Sequence, residues 1–293
     1  MYQKASSIKI KGLIKRDELI SPYLTIKAGG RVSWFITPET IEDIFEIVSF
    51  ANNEGYDWLV LGNGSKLLIS DKGFNGIIIY TRNLRDIVLD REEMILHGGA
   101  PIGEAIRLAV KSKLSGLEPL VGIPGTIGGA VVMNAGTAYG SIGKLVKSVE
   151  YINSEGLLSV KDNPYFGYRD SEFKGKRVLI TRILLKLSSS LSEDIDERLK
   201  SSVLLRKSQP RFPRQFGSVF KNPQGVSAGK LIEEAGFKGF VYNKVQVSPV
   251  HANFILNFGE SADDVYYVLK LIQERVFKFF NILLEPEVIT VGF

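Results

Sequence analysis

The chain has no cysteine among its 293 residues. That absence excludes disulfides, a thiol nucleophile and a thiolate metal site, and it fits a reducing cytoplasm. Histidine is almost as scarce. His97 and His251 are the only two, and their separation matches no metal-ligand spacing, so metal ligation has no support. Runs of apolar residue are short, and the stretch Met1 to Gly12 has no apolar core of signal-peptide length. One segment, Pro119 to Gly143, carries no charge and is long enough to resemble a membrane span. Its glycines and Pro124 would make a weak isolated helix, so the segment reads as a buried loop and short helix wrapped around a ligand.

What is present describes an ordinary soluble globular protein: 44% hydrophobic and 24% charged residues, with no low-complexity tract and no internal repeat. The length favours two or three packed subdomains over one core. A net charge of +5 favours anionic ligands, nucleotides and phosphates among them. The densest basic stretch, Lys200 to Arg214, lacks the interleaved aromatics of a base-stacking platform and reads as a solvated helix. No nucleic-acid or membrane motif is found.

Periodicity predicts a strand at Val32 to Ile36, an amphipathic helix at Ile41 to Asn52, and strands at Trp58 to Leu61 and Ile77 to Tyr80. A second unit begins near Leu84, with a strand at Met94 to His97, a helix at Gly103 to Lys113, and strands at Val146 to Ile152 and Val178 to Leu187. After a helix from Glu193 to Lys207, the stretch Gln209 to Pro213 reads as a linker. The third unit has a short strand at Ser218 to Lys221, a helix at Ala228 to Ala235, strands at Val245 to Val247 and Phe254 to Asn257, and a long helix at Ala262 to Phe280. The last strand, Glu287 to Val291, returns to an earlier sheet.

Two glycine-rich segments bear on chemistry. Gly62, Asn63, Gly64 and Ser65 follow a strand and expose backbone amides without a side-chain wall, which suits phosphate. Gly122, Ile123, Pro124, Gly125 and Thr126 run through Ile127, Gly128 and Gly129 to Ala130, a short helix whose amino end can face a pyrophosphate. Either segment alone is equally a tight turn. Neither fits the G-x-G-x-x-G fingerprint, and no P-loop occurs.

The order of these blocks resembles the UDP-N-acetylenolpyruvoylglucosamine reductase family. The resemblance is carried by Gly29-Gly30, Leu61 to Ser65, Gly122 to Ala130, Met133-Asn134-Ala135-Gly136, Phe166 to Ser171, Gly217 to Pro223, Ala228 to Glu233 and Leu284 to Val288, and it spans nearly the whole chain. It implies an α+β protein with a vanillyl-alcohol-oxidase-type FAD-binding fold of two subdomains, 1–82 (with return strand 285–293) and 83–207, plus a C-terminal α+β substrate-binding domain, 208–284. It implies non-covalent FAD held by the two glycine segments with Asn134, Ala135 and Gly136, and NADPH as co-substrate. The implied reaction reduces UDP-N-acetylglucosamine enolpyruvate to UDP-N-acetylmuramate, in a cytoplasmic monomer that serves cell-wall synthesis. Ser218 is the implied proton donor, while Arg169 and Glu287 hold and polarise the substrate carboxylate. Tyr168, Lys221, Asn222, Lys238 and His251 are implied contacts for the sugar nucleotide. The short interval between Arg169 and Arg206 resembles the branch without a long tyrosine-bearing loop. Arg31, Phe216 and Ile142 depart from the family pattern at positions touching cofactor packing and the mouth of the site.

The chemistry asks for these groups independently of the name. An enol ether accepts hydride only if the charge developing beside its carboxylate is stabilised, which a fixed guanidinium does with paired hydrogen bonds. The adjacent carbon then needs a proton from a defined position. Serine is a weak acid, so Ser218 needs a relay, through Lys221 or water; its alternative is a hydroxyl closing a strand turn. An ionised Glu287 about 4 Å from the substrate carboxylate would repel it by roughly 4 kcal/mol at an effective dielectric near 20. Glu287 is therefore expected to be protonated with substrate bound, or compensated by Arg169; otherwise it is an edge-strand surface carboxylate. His251 reads equally as a core or turn histidine, and His97 as structural.

Two other readings remain: an alcohol or sugar oxidase of the same FAD fold, and a non-catalytic flavin-binding module. Covalent FAD attachment at the first glycine loop is excluded, because that loop has no histidine and the chain no cysteine.

Overall fold

A computed structural model describes residues 8–207 and 209–293. Residues 1–7, part of the stretch read for a leader, lie outside the described residues. The chain divides into two compact units, each assembled from three segments.

The chain opens with β1 (Leu13–Leu19), β2 (Arg31–Thr37), α1 (Ile41–Glu54), β3 (Asp57–Leu61), β4 (Leu67–Ile69) and β5 (Phe74–Tyr80). Unit 1 takes the residues up to Asp17, Ser33–Gly62 and Asn75–Val203. Its first sheet has the order β1-β2-β5-β3, with β3 and β5 parallel and Trp58 opposite Ile77. α1 starts where it does because Thr40 and Asp43 form a capping box, and it stops at Gly55, which takes a left-handed φ of 72°. Its apolar stripe, Ile44, Ile47, Val48 and Ala51, packs on Trp34, Ile36, Trp58, Ile77 and Ile79.

The second sheet of unit 1 is antiparallel. Its order is Leu158–Asp162, Val146–Ile152, Leu179–Lys186, then β7 (Glu93–His97) and β6 (Ile87–Asp90). One face, with Met94, Leu96, Ile183 and Leu185, shares a core with residues of α2 (Ile102–Lys111) and α3 (Ile127–Val132). α2 ends two residues before the expected Lys113, because that lysine takes a left-handed φ of 56° that no right-handed helix continues through. The charge-free segment folds as a turn, the six-residue α3 and a short hairpin in which Gly136–Thr137 pairs with Gly140–Ser141. Among the described residues no helix is long and apolar enough to cross a membrane. α4 (Ser192–Lys207) buries Ile195 and Ser202, so most of its charged surface faces away from the core.

Unit 2 takes Glu18–Val32, Asn63–Phe74 and Leu204–Phe293. It contains α5 (Ala228–Glu234), α6 (Ala262–Phe280) and a three-stranded antiparallel sheet ordered Val241–Tyr242, Val245–Val247, Ile255–Asn257. α6 has the expected bounds. Ser261 caps it by accepting from the Asp264 amide at 3.0 Å, and the Asp71 carboxylate accepts from the Ala262 amide at 2.7 Å. Val265, Val268, Leu269, Ile272 and Val276 form its buried face.

Two expectations in this unit need correction. Ser218 to Lys221 is not a strand: it meets the returning chain at a single bridge, Phe220 with Pro286. The last strand is Ile289–Val291, two residues later than expected, and it pairs in parallel with β4. The reason is common to both. The Glu287 amide donates to the Val219 carbonyl at 2.7 Å, whereas the Ile289 amide donates to the Lys66 carbonyl at 2.8 Å, so the returning chain changes partners between those residues.

Candidate functional site

In unit 1 the glycine-rich segment 122–130 joins a turn to α3. Thr126 is the N-cap, its hydroxyl accepting from the Gly129 amide at 3.3 Å. The Ile127 and Gly128 amides donate to the carbonyls of Ala100 and Gly98 at 2.8 Å each. The first three amides of α3 thus each have an acceptor within the protein. A Cβ on Gly62 would stand 2.5 Å from the Thr126 hydroxyl oxygen, so at this point the two glycine segments tolerate no side chain between them.

Asn134, at a left-handed φ of 42°, is buried, and its side chain bonds in two directions. Its amide donates to the Gly167 carbonyl at 2.6 Å, and its oxygen accepts from the Gly143 amide at 3.1 Å. It thereby ties the loop after α3 to the hairpin Phe166–Gly167/Asp170–Ser171. Arg169 sits in the turn of that hairpin with a φ of 50°. A non-glycine residue in this region is strained, and such strain persists where the surroundings hold it. Here the guanidinium donates to the Gly136 carbonyl at 2.8 Å and to the Asn134 carbonyl at 3.5 Å, which fixes its plane. The exposed Tyr168 ring lies 5.5 Å from the guanidinium carbon. Ile142 belongs to the core of unit 1, so its departure from the family pattern is a packing choice.

In unit 2 the loop Asn63, Gly64, Ser65 runs into β4. Gly64 has a φ of 65°, and a Cβ there would stand 2.3 Å from the Tyr23 carbonyl oxygen. Lys66 follows. Its ammonium lies 2.8 Å from Oε2 of Glu287 and donates to the Ser218 carbonyl at 2.5 Å. Glu287 is only 5% exposed, so it is no edge-strand surface carboxylate, and Lys66 supplies a counter-charge at 2.8 Å. Sequence reasoning missed this lysine. The signal was its place directly after the glycine loop, but nothing in the pattern said which carboxylate it would meet.

Ser218 is half-buried, and its hydroxyl takes no hydrogen-bond partner among the described residues. Its neighbours are fixed by Asn253, whose side chain accepts from the Phe220 amide at 2.9 Å and donates to the Phe220 carbonyl at 2.8 Å. Lys221, the suggested relay, is instead paired with Glu285 at 2.6 Å. Asn222 accepts from the Ala228 amide at 2.9 Å, at the start of α5. Lys238 pairs with Glu233 at 2.9 Å. His251 accepts the Asn253 amide on Nδ1 at 3.2 Å and lies against Phe254. Burial holds its pKa below the ordinary value, helped by the Lys238 charge and opposed by a backbone hydrogen bond and Glu233. Phe216 is buried. Arg31 is exposed, and its carbonyl oxygen lies where a Cβ on Gly73 would fall, at 2.0 Å.

Comparison with known proteins covers both units. Residues 209–291 match the model of the UDP-N-acetylenolpyruvoylglucosamine reductase C-terminal domain, and residues 32–160 match an FAD binding domain. A UDP-N-acetylenolpyruvoylglucosamine reductase of Caldicellulosiruptor bescii is 36% identical over all of this chain and 94% of its own length. One from Prochlorococcus marinus is 37% identical over 96% of this chain and 98% of its own. The crystal structure of the Thermus caldophilus enzyme of that name superposes with a TM-score of 0.83 at 33% identity, covering 96% of this chain and 100% of its own. A 6-hydroxy-D-nicotine oxidase from Arthrobacter nicotinovorans shares the fold alone, with a TM-score of 0.51 at 16% identity over 64% of this chain and 44% of its own.

Proposed function

The chain belongs to the UDP-N-acetylenolpyruvoylglucosamine reductase family, and on that premise we propose how its residues divide the work. The protein is an FAD-dependent oxidoreductase that reduces UDP-N-acetylglucosamine enolpyruvate to UDP-N-acetylmuramate with NADPH, a step in bacterial peptidoglycan precursor synthesis. The observation that carries this is the identity of 36% with a reductase of that name over the entire chain. An alcohol oxidase is disfavoured, because the oxidase likeness is at the level of fold and stops at 64% of the chain.

The residues fit FAD. Gly62 and Gly64 pack against Thr126 and Tyr23 with no room for a side chain, which sets the course of a loop lying inside the segment that matches an FAD binding domain. Gly62, Asn63, Gly64 and Ser65, the segment Gly122 to Ala130, and Asn134, Ala135 and Gly136 would hold it, with Asn134 also shaping the loop. When bound, FAD supplies hydride transfer from NADPH to the methylene carbon of the enolpyruvyl group.

The rest belongs to the chain's own side chains. Arg169, its plane already set by two carbonyls, stabilises the charge that grows on the substrate carboxylate. Ser218 gives its hydroxyl proton to the carbon beside that carboxylate. Glu287 orients the carboxylate end of the substrate, with the Lys66 ammonium 2.8 Å from its Oε2. Tyr168, Lys221, Asn222, Lys238 and His251 line the path of the sugar nucleotide, the two lysines through charge. The division into 1–82, 83–207 and 208–284, a cytoplasmic location and a monomeric state, with neither nucleic acid nor membrane as partner, complete the reading.

The test is direct. Purified protein is expected to be yellow, to release FAD on denaturation, and to oxidise NADPH rapidly only when the enolpyruvyl sugar nucleotide is added. Rapid oxygen consumption with an alcohol, or bound flavin without turnover, would sink the assignment.

A further inference from the structure

We propose that Lys66 is a positioning residue of the second half-reaction, one that locks the Glu287 carboxylate and the Ser218 backbone into a single arrangement. The inference rests on the assignment of Ser218 and Glu287 to the substrate made above.

Glu287 is 5% exposed, and an ionised carboxylate so buried is tolerated only with a partner and hydrogen bonds. Lys66 supplies the partner at 2.8 Å. The same ammonium donates to the Ser218 carbonyl at 2.5 Å, so one cation holds both residues at once. Neither end of the lysine is free to drift. Its backbone carbonyl accepts from the Ile289 amide at 2.8 Å, and the preceding loop is pinned where the Thr25 amide donates to the Gly64 carbonyl at 3.0 Å. On the other side, the Glu287 amide is bonded to Val219, the residue after Ser218. Backbone and side chain thus reinforce one geometry.

The chemistry gains twice from this. A serine that gives up its proton is left as an oxyanion, which a nearby ammonium favours and a neutral side chain does not. A carboxylate facing a like-charged substrate needs its own charge balanced from behind. Lys66 forms no bond to substrate and transfers no proton in this proposal. It acts through Ser218 and Glu287.

The experiment uses the FAD-loaded protein and four variants: K66M, K66R, E287Q and K66M/E287Q. Flavin bleaching by NADPH reads the first half-reaction, and flavin recovery on mixing with the enolpyruvyl sugar nucleotide reads the second. Binding of that nucleotide to the oxidised holoenzyme is read separately from its perturbation of the flavin spectrum. K66M is expected to bleach within about twofold of wild type and to recover roughly 10- to 100-fold more slowly, with the loss in kcat rather than KM. K66R restores most of the rate. In the E287Q background the same K66M change costs less than in wild type, because the part of its effect that runs through Glu287 is already lost. Should K66M alone fail to fold, K66M/E287Q leaves neither charge buried and carries the comparison with E287Q. Equal slowing of both half-reactions, failure of K66R to rescue, or additive losses would each overturn the proposal. A wild-type protein that bleaches and never recovers with this nucleotide would instead remove the functional reading itself.

Discussion

Asn253 pairs with Phe220 as a neighbouring strand would. Its side-chain oxygen takes the Phe220 amide at 2.9 Å and its side-chain nitrogen meets the Phe220 carbonyl at 2.8 Å. A single amide side chain thereby satisfies both backbone groups of Phe220, while Val219 and Lys221 bond to backbone on either side. Asn253 is 3% exposed, so removing it leaves two backbone groups buried without partners. Asn253→Ala is expected to lose about 2–4 kcal/mol of stability, read as a lowered denaturant midpoint at unchanged slope. A loss below about 0.5 kcal/mol would mean that water substitutes freely there.

Ser218→Ala removes a hydroxyl that satisfies no other group among the described residues, so it should cost little stability. Flavin reduction by NADPH is expected to stay nearly intact, and the second half-reaction to slow by roughly 10²-fold or more. Equal slowing in both halves would defeat the proton-donor role.

Arg169→Lys keeps the charge and loses the planar fork that reaches the carbonyls of Gly136 and Asn134. We expect kcat/KM for the enolpyruvyl substrate to fall about 10²-fold, with the flavin content unchanged. An activity near wild type would show that charge alone suffices.

Gly64→Ala combines a φ of 65° with a Cβ placed 2.3 Å from the Tyr23 carbonyl oxygen, which is backbone and cannot swing aside. A loss of about 1–3 kcal/mol is expected, together with a smaller fraction of FAD retained on purification. Full flavin content at an unchanged melting temperature would contradict it.

His251 titrates against folding. Its folded pKa lies below the ordinary 6.5, chiefly because burial disfavours the charged ring. Above that ordinary value the ring is neutral folded and unfolded, and the stability it contributes is fully present. As the pH falls through 6.5 toward the lower folded value, the unfolded chain binds the proton first and that stability drains away. Melting temperature should therefore drop between about pH 7 and pH 5, and less steeply in His251→Gln. Parallel curves for the two proteins would exclude the histidine.

Much of the fold is legible in the residues, and the reasons differ by element. α6 has its expected bounds because a long apolar stripe, a serine cap and two flanking turns agree. β1 was missed: its burial alternates weakly and it holds Lys15, Arg16, Asp17 and Glu18, so no period-two signal rises above the charge. β4 was missed because three apolar residues beside a glycine loop carry too little pattern, and its partner lies at the far end of the sequence. The strand expected at Ser218 to Lys221 failed for the opposite reason. Its pattern is extended, yet its hydrogen bonds are divided between the returning chain and Asn253, whose side chain takes both backbone groups of Phe220, so no regular ladder forms. The site follows the same rule. Ser218, Arg169 and Glu287 carry motif signals, whereas Lys66 is known only from the company its ammonium keeps.

The pairing of β4 with Ile289–Val291 has a consequence for synthesis. During translation the lysine emerges early and its carboxylate among the last residues made, so the nascent chain must carry an uncompensated ammonium past most of its own length. Assembly of this corner belongs to the slow, late class of folding events, and a ribosome stalled before Ile289 would present a glycine loop with no strand beside it.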